Sequence, residues 1–140
     1  MSTNVSELPR PSKGWNIGLW VVQVLVGLMF VMAGFMKSTQ PIEAMAANMP
    51  WVAELPALVR FIGISELLGG LGMILPAATR ILPILTPAAG GGLVTVMILA
   101  AGFHLVRGEF SSIVANAVLG LLAAVVVWGR LKKAPIAPRN

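Results

Sequence analysis

Cysteine and tyrosine are absent from the 140-residue chain, histidine occurs once, and acidic residues number only five. Without cysteine there is no disulfide, no thiolate metal site and no dithiol electron relay, which excludes a membrane thiol oxidoreductase. The lone His104 excludes bis-histidine haem ligation within one chain. Charge is scarce too: 11% of residues are charged, against roughly 25% in an ordinary soluble domain. What is present instead is hydrocarbon. Hydrophobic residues make up 57% of the chain, and the mean hydropathy is +0.88. A domain this short has too little interior to hide so much apolar surface. The composition points to a polytopic membrane protein, and the length to a single domain, 1–140.

The net charge of +5 does not read as a nucleic-acid footprint. The basic residues bunch at the two ends (Arg10, Lys13; Arg130, Lys132, Lys133, Arg139) instead of forming a stripe beside aromatic platforms. That is the distribution of cytoplasmic flanks under the positive-inside rule.

Four apolar segments approach the ~20 residues that cross a bilayer core: about 16–36, 57–75, 81–106 and 111–129. The first is too long for the apolar part of a signal peptide and has no clear cleavage site after it. Together they predict an all-α membrane protein, a four-transmembrane-helix up-down bundle with a partly helical interfacial loop between the first two spans. The N-terminal arm, the Arg80 turn and the C-terminal tail hold seven basic residues against Glu7 alone. The opposite side balances Lys37, Arg60 and Arg107 with Glu43, Glu54 and Glu109. The tails, 1–15 and 130–140, are therefore expected in the cytoplasm, with Trp15, Trp20 and Trp128 at the inner rim.

The long connection, 37–56, carries Pro41, Pro50 and Pro56 and stays partly apolar through Ile42, Met45, Met49, Trp51 and Val52. It reads as short segments on the outer interface, with a lid over the bundle as the sharper version. In the inner turn Pro83 and Pro87 suit a first helical turn or a kink. Gly90–Gly92 suit close packing or a broken helix.

Glu66 stands in the middle of "FIGISELLGGLGMILP", where a membrane carboxylate is costly. At 100° per residue, Val59, Ile62, Gly63, Gly69, Gly70 and Met73 share its face, and Phe61, Ile64, Leu68, Leu71 and Leu75 lie opposite. The glycine face admits another helix and the bulky face suits lipid, so Glu66 should point inward. Similar stripes recur: Gln23, Gly27, Gly34 and Lys37 in the first span; Met97, Ala100, Ala101 and His104 in the third; Ser112, Asn116, Gly120 and Ala124 in the fourth. Turning all four stripes to one axis gathers Lys37, Glu66, His104 and Asn116 in the outer half, with Gln23 as a further candidate. Contact between Lys37 and Glu66 requires Lys37 to sit about a turn deeper than the 16–36 boundary puts it. Reached, Glu66 is an anion in an ion pair; unreached, a neutral acid bonded to Asn116 or His104.

The segments "GFMK" with "QP" soon after, "GISELLGGLGMIL" and "AGFHLVRGEF" resemble the DoxX-like family of small four-helix membrane proteins over about residues 16–129. The resemblance implies a compact four-helix fold in a bacterial cytoplasmic membrane, with Lys37, Glu66, His104 and Asn116 at the family's polar positions. It also implies a role near quinone-linked oxidation or as an accessory factor for membrane complexes. Three functions stay open. The first is a non-catalytic accessory or lipophilic-ligand-binding subunit, whose polar pocket takes a lipid, a quinone or a partner's side chain. The second is a quinone-interacting subunit of a membrane oxidoreductase, with Glu66 and His104 as proton-exchanging groups and the electron carrier on a partner. The third is a proton-coupled exporter working as a homo-oligomer. No metal is expected in any of them.

Overall fold

A computed structural model describes residues 12–139. Four long helices carry the architecture: α1 (Lys13–Thr39), α4 (Pro56–Thr79), α5 (Leu85–Arg107) and α6 (Phe110–Trp128). Two short ones, α2 (Ile42–Ala46) and α3 (Trp51–Glu54), lie between α1 and α4, and α6 runs on into a π-helical turn, Gly129–Lys133. All four long helices have the length and apolar character to cross a membrane. The protein is thus an all-helical, multi-pass bundle. Arg10 and Glu7, read above as part of a basic flank, lie outside the described residues.

The bundle runs up and down, with α4 packed between α1 and α5, and α5 against α6. We refer to the end bearing α2 and α3 as the capped end and to the other as the terminal end. Three prolines punctuate the capped end. Pro41 and Pro50 immediately precede α2 and α3, and Pro56 is the first residue of α4. A proline suits the start of a helix, where its missing N–H has no intrahelical partner to lose. The short helices turn Met45, Trp51 and Val52 down onto Val59, Ile62 and Phe103. The connection is therefore a packed cap.

The α4 faces are as the periodicity predicts. Val59, Gly63, Glu66, Gly70 and Met73 are buried, while Phe61, Ile64, Leu68, Leu71 and Leu75 are exposed to the surroundings of the bundle. Glycines set the α1–α4 separation. A Cβ added at Gly70 would lie 2.6 Å from the Gly27 carbonyl oxygen, and one at Gly63 would lie 2.7 Å from Lys37 Cβ. Lower down, Val26, Phe30, Met73, Leu93, Met97, Ala123 and Val126 form the main core.

Two expectations change. The third span starts at Leu85, not Ile81, because Arg80 (φ 59°) and Leu82 (φ 47°) take left-handed conformations that break the helix. Pro87 then falls in the first turn, and the helix continues unbroken through Gly90–Gly92. In α6 the fully buried residues are Ala123 and Val126, while the Asn116–Gly120–Ala124 ladder faces a groove against Met97 and Ala101. Exposed Ile98 and Leu121 flank that groove. α6 leans chiefly on α5, so the Gly120–Ala124 part of its small-residue stripe serves that contact.

Candidate functional site

Glu66 is 2% exposed and pairs with Lys37. The ammonium donates to both carboxylate oxygens, at 3.0 Å to Oε1 and 2.9 Å to Oε2. Two local features bring them together. α1 extends to Thr39, so Lys37 is inside the last turn. Gly63 lies three residues before Glu66 on the same face, and its missing side chain lets the α1 backbone at Lys37 and Ser38 settle on α4. Arg60 Nη1 then donates to the Lys37 carbonyl at 3.1 Å, fixing the end of α1. This is the ion-paired alternative of the two left open by sequence.

The pair borders a cavity of about 270 Å³ whose wall also includes His104 and Asn116. All four expected polar residues therefore line one space, although only Lys37 and Glu66 bond to each other. His104 Nδ1 lies 3.4 Å from Glu109 Oε1, and the Asn116 side-chain nitrogen is buried without a hydrogen-bond partner. Trp51 roofs the space, meeting Phe103 edge-on at 5.4 Å and His104 at 6.4 Å. The rest of the wall is largely apolar. Phe61 and Leu99, both 69% exposed, stand at its margin, so the cavity opens sideways between α4 and α5.

The end of α5 explains how His104 is held. Gly108 adopts φ 73°, which glycine takes without strain. The Glu109 N–H then donates to the His104 carbonyl at 2.9 Å and the Gly108 N–H to that of Leu105 at 3.1 Å, a Schellman-type ending. The turn folds Glu109 back beside His104 and within 2.8 Å of Arg107 Nε. Arg107 also reaches Glu54 on α3 at 3.3 Å, tying the cap to α5.

Gln23 stands apart from this group. Fourteen residues before Lys37 on the same helix, it lies about 21 Å from it along the axis. Its side-chain nitrogen donates to the Met73 carbonyl and its oxygen accepts from Arg130 Nε at 2.8 Å. Arg130 is the residue that sequence reasoning missed: counted as a basic flank, it is 4% exposed and bonded into the terminal end. The one signal in the sequence was the pairing of Asn16 and Gln23, seven residues apart on one helical face.

A sequence model of the DoxX-like family matches residues 21–126, which takes in most of all four spans and every residue lining the capped-end cavity. The chain belongs to the DoxX-like family. No curated protein and no solved structure matches it. Within this DoxX-like chain Arg130 falls beyond the matched segment, while its partner Gln23 falls within. Chemically, the capped-end cavity offers an ammonium, a carboxylate, an imidazole and an uncommitted amide in the wall of a largely apolar space. That set can bind and orient a polar head group. Among the described residues no three His, Cys, Asp or Glu side chains gather as they would around a metal ion.

Proposed function

We propose that this DoxX-like protein is a non-catalytic subunit of a bacterial cytoplasmic membrane that holds a lipophilic small molecule, a quinone or lipid, in its capped-end cavity. As an accessory factor it would present that ligand to a partner membrane subunit. The carrying observation is the cavity's mixed lining. Its walls are largely apolar and reach exposed Phe61 and Leu99, and the Lys37–Glu66 pair and the unpartnered Asn116 amide line it. Such a lining suits an apolar body with a carbonyl or hydroxyl head. Both Glu66 oxygens are engaged by Lys37, which favours holding a ligand over exchanging protons with it. The gathering of Lys13, Arg80, Lys132, Lys133 and Arg139 at the terminal end supports cytoplasmic termini.

The test uses Trp51 as reporter. With Trp15, Trp20 and Trp128 changed to Phe, a short-chain ubiquinone analogue should quench Trp51 saturably in detergent. Asn116→Leu should weaken binding about tenfold, the usual scale for one hydrogen bond left unmade. The same change should leave the thermal midpoint unchanged or raised, since it removes an orphan donor. Quenching that never saturates, or that ignores Asn116→Leu, would sink the reading.

A quinone-reactive role is the second reading, favoured by His104 on the same wall. An imidazole can both donate and accept a proton, as exchange with a quinol requires. On that reading His104→Gln keeps the saturable quench but abolishes quinone-dependent electron transfer in native membranes. Unchanged transfer would leave ligand holding alone.

A further inference from the structure

We propose that the terminal end of the bundle carries a second site, for a phosphoryl group, built on Arg130 and Thr86. It is independent of the ligand reading above, at the opposite end of α1. Arg130 is 4% exposed, yet among the described residues every acceptor it meets is neutral. Nε donates to Gln23 Oε1 at 2.8 Å, and Nη1 donates to Asn16 Oδ1 at 2.8 Å and to the Ala134 carbonyl at 3.0 Å. The Trp20 ring lies 5.2 Å from the guanidinium carbon. A buried cation held only by neutral groups is strongly disfavoured unless an anion joins it. Its remaining nitrogen, Nη2, is buried and has no hydrogen-bond partner among the described residues. Thr86, 1% exposed, contributes a second orphan, its hydroxyl Oγ1.

Both residues line a single cavity of about 250 Å³, walled otherwise by residues such as Pro83, Pro87 and Ile136. The two free N–H groups on Arg130 Nη2 and the Thr86 hydroxyl are charge-assisted and neutral donors matched to phosphate oxygens. The location fits as well. Trp15 and Trp128 meet edge-on at 5.4 Å with Lys133 over both rings, the mixture of aromatic and basic groups found at a bilayer interface. Phosphate is available there both as lipid head group and in the adjoining water, and the same donors would take either. The segment 134–139 forms one side of the cavity through Pro135, Ile136 and Pro138. It is pinned where Arg80 Nε donates to the Ala137 carbonyl at 2.9 Å and where the Arg139 N–H donates to the Arg80 carbonyl at 2.8 Å. Because the two orphan atoms are enclosed, binding requires local movement of the groups that cover them.

The full chain in detergent would be titrated with inorganic phosphate against chloride at matched ionic strength. In parallel it would be incubated with phosphatidylglycerol or with galactosyl diacylglycerol, which carries no phosphate. The thermal midpoint reports stabilisation, and native mass spectrometry reports retained lipid. We expect a midpoint raised by phosphate, or selective retention of phosphatidylglycerol; the first identifies free anion and the second a lipid head group. Thr86→Val exchanges a hydroxyl for a methyl and should fold normally, with about tenfold weaker binding. Arg130→Lys, which keeps charge but loses the free Nη2 donors, should weaken it similarly. No response to either phosphate source, or one unaffected by both variants, would overturn the proposal. So would a response seen only in Glu7→Gln, because the chain's own carboxylate would then be the anion.

Discussion

Replacing Lys37 with methionine is expected to destabilise the protein by about 3 kcal/mol or more, the scale for removing one partner of a buried ion pair. Methionine retains much of the stem volume, so the loss reports charge and hydrogen bonding, not packing. Glu66, 2% exposed, would be left as an uncompensated carboxylate or forced to take up a proton. Glu66→Gln should cost less, about 1–2 kcal/mol, because the Lys37 side chain is 18% exposed and its flexible stem can carry the ammonium towards water. The double variant Lys37→Met/Glu66→Gln should then be more stable than Lys37→Met alone, since a neutral amide tolerates burial better than a carboxylate. Denaturant titration of all three variants in one detergent measures the coupling directly. Strict additivity would mean that the two side chains do not meet. The double variant also separates structure from binding: if the pair anchors a head group, it should fold and still fail to give saturable Trp51 quenching.

The parts of this site that follow helical periodicity were legible in the sequence. Glu66, Gly63, Gly70 and Met73 fall on one face of α4 by spacing alone, and all four are buried. The reach of Lys37 was not legible, because "KST" reads as the polar end of a span. In the structure the Ser38 hydroxyl donates to the Gly34 carbonyl at 2.6 Å and the Thr39 hydroxyl to that of Phe35 at 2.7 Å. Their polarity is thus absorbed by the helix itself, which runs on through Lys37. The start of α5 was hidden for another reason. Left-handed backbone at Arg80 and Leu82 has no signature in residues that carry side chains. Arg130 was obscured by an averaging rule: basic residues after a last span read as flank. Only the return of the chain over Asn16 and Gln23 turns this one inward, and that is a contact between positions more than a hundred residues apart.

Gly34→Leu should be the most damaging single apolar change in the protein, with a loss of at least about 3 kcal/mol, towards or beyond the upper end for overpacking. A Cβ at Gly34 would collide with the backbone nitrogen of Leu67 and lie 2.6 Å from the Gly63 carbonyl oxygen. Flexible side chains can rotate away from an added carbon, but the backbone of a packed helix cannot. α1 and α4 would have to separate. Gly92→Ala is the matched control. Nothing lies within 4 Å of a Cβ there, so the change should be neutral or stabilise α5 by up to about 1 kcal/mol through helix propensity. Thermal midpoints in detergent would distinguish the two, and equal midpoints would mean that α1 and α4 do not touch through their glycines. Gly34→Ala is the graded version and bears on function. The same close approach that Gly34 and Gly63 permit brings the Lys37 ammonium within 3.0 Å of the Glu66 carboxylate. A small separation should therefore loosen the ion pair before it unfolds the bundle. Weaker quinone quenching in a variant that still melts cooperatively would show that helix spacing sets the geometry of the pocket.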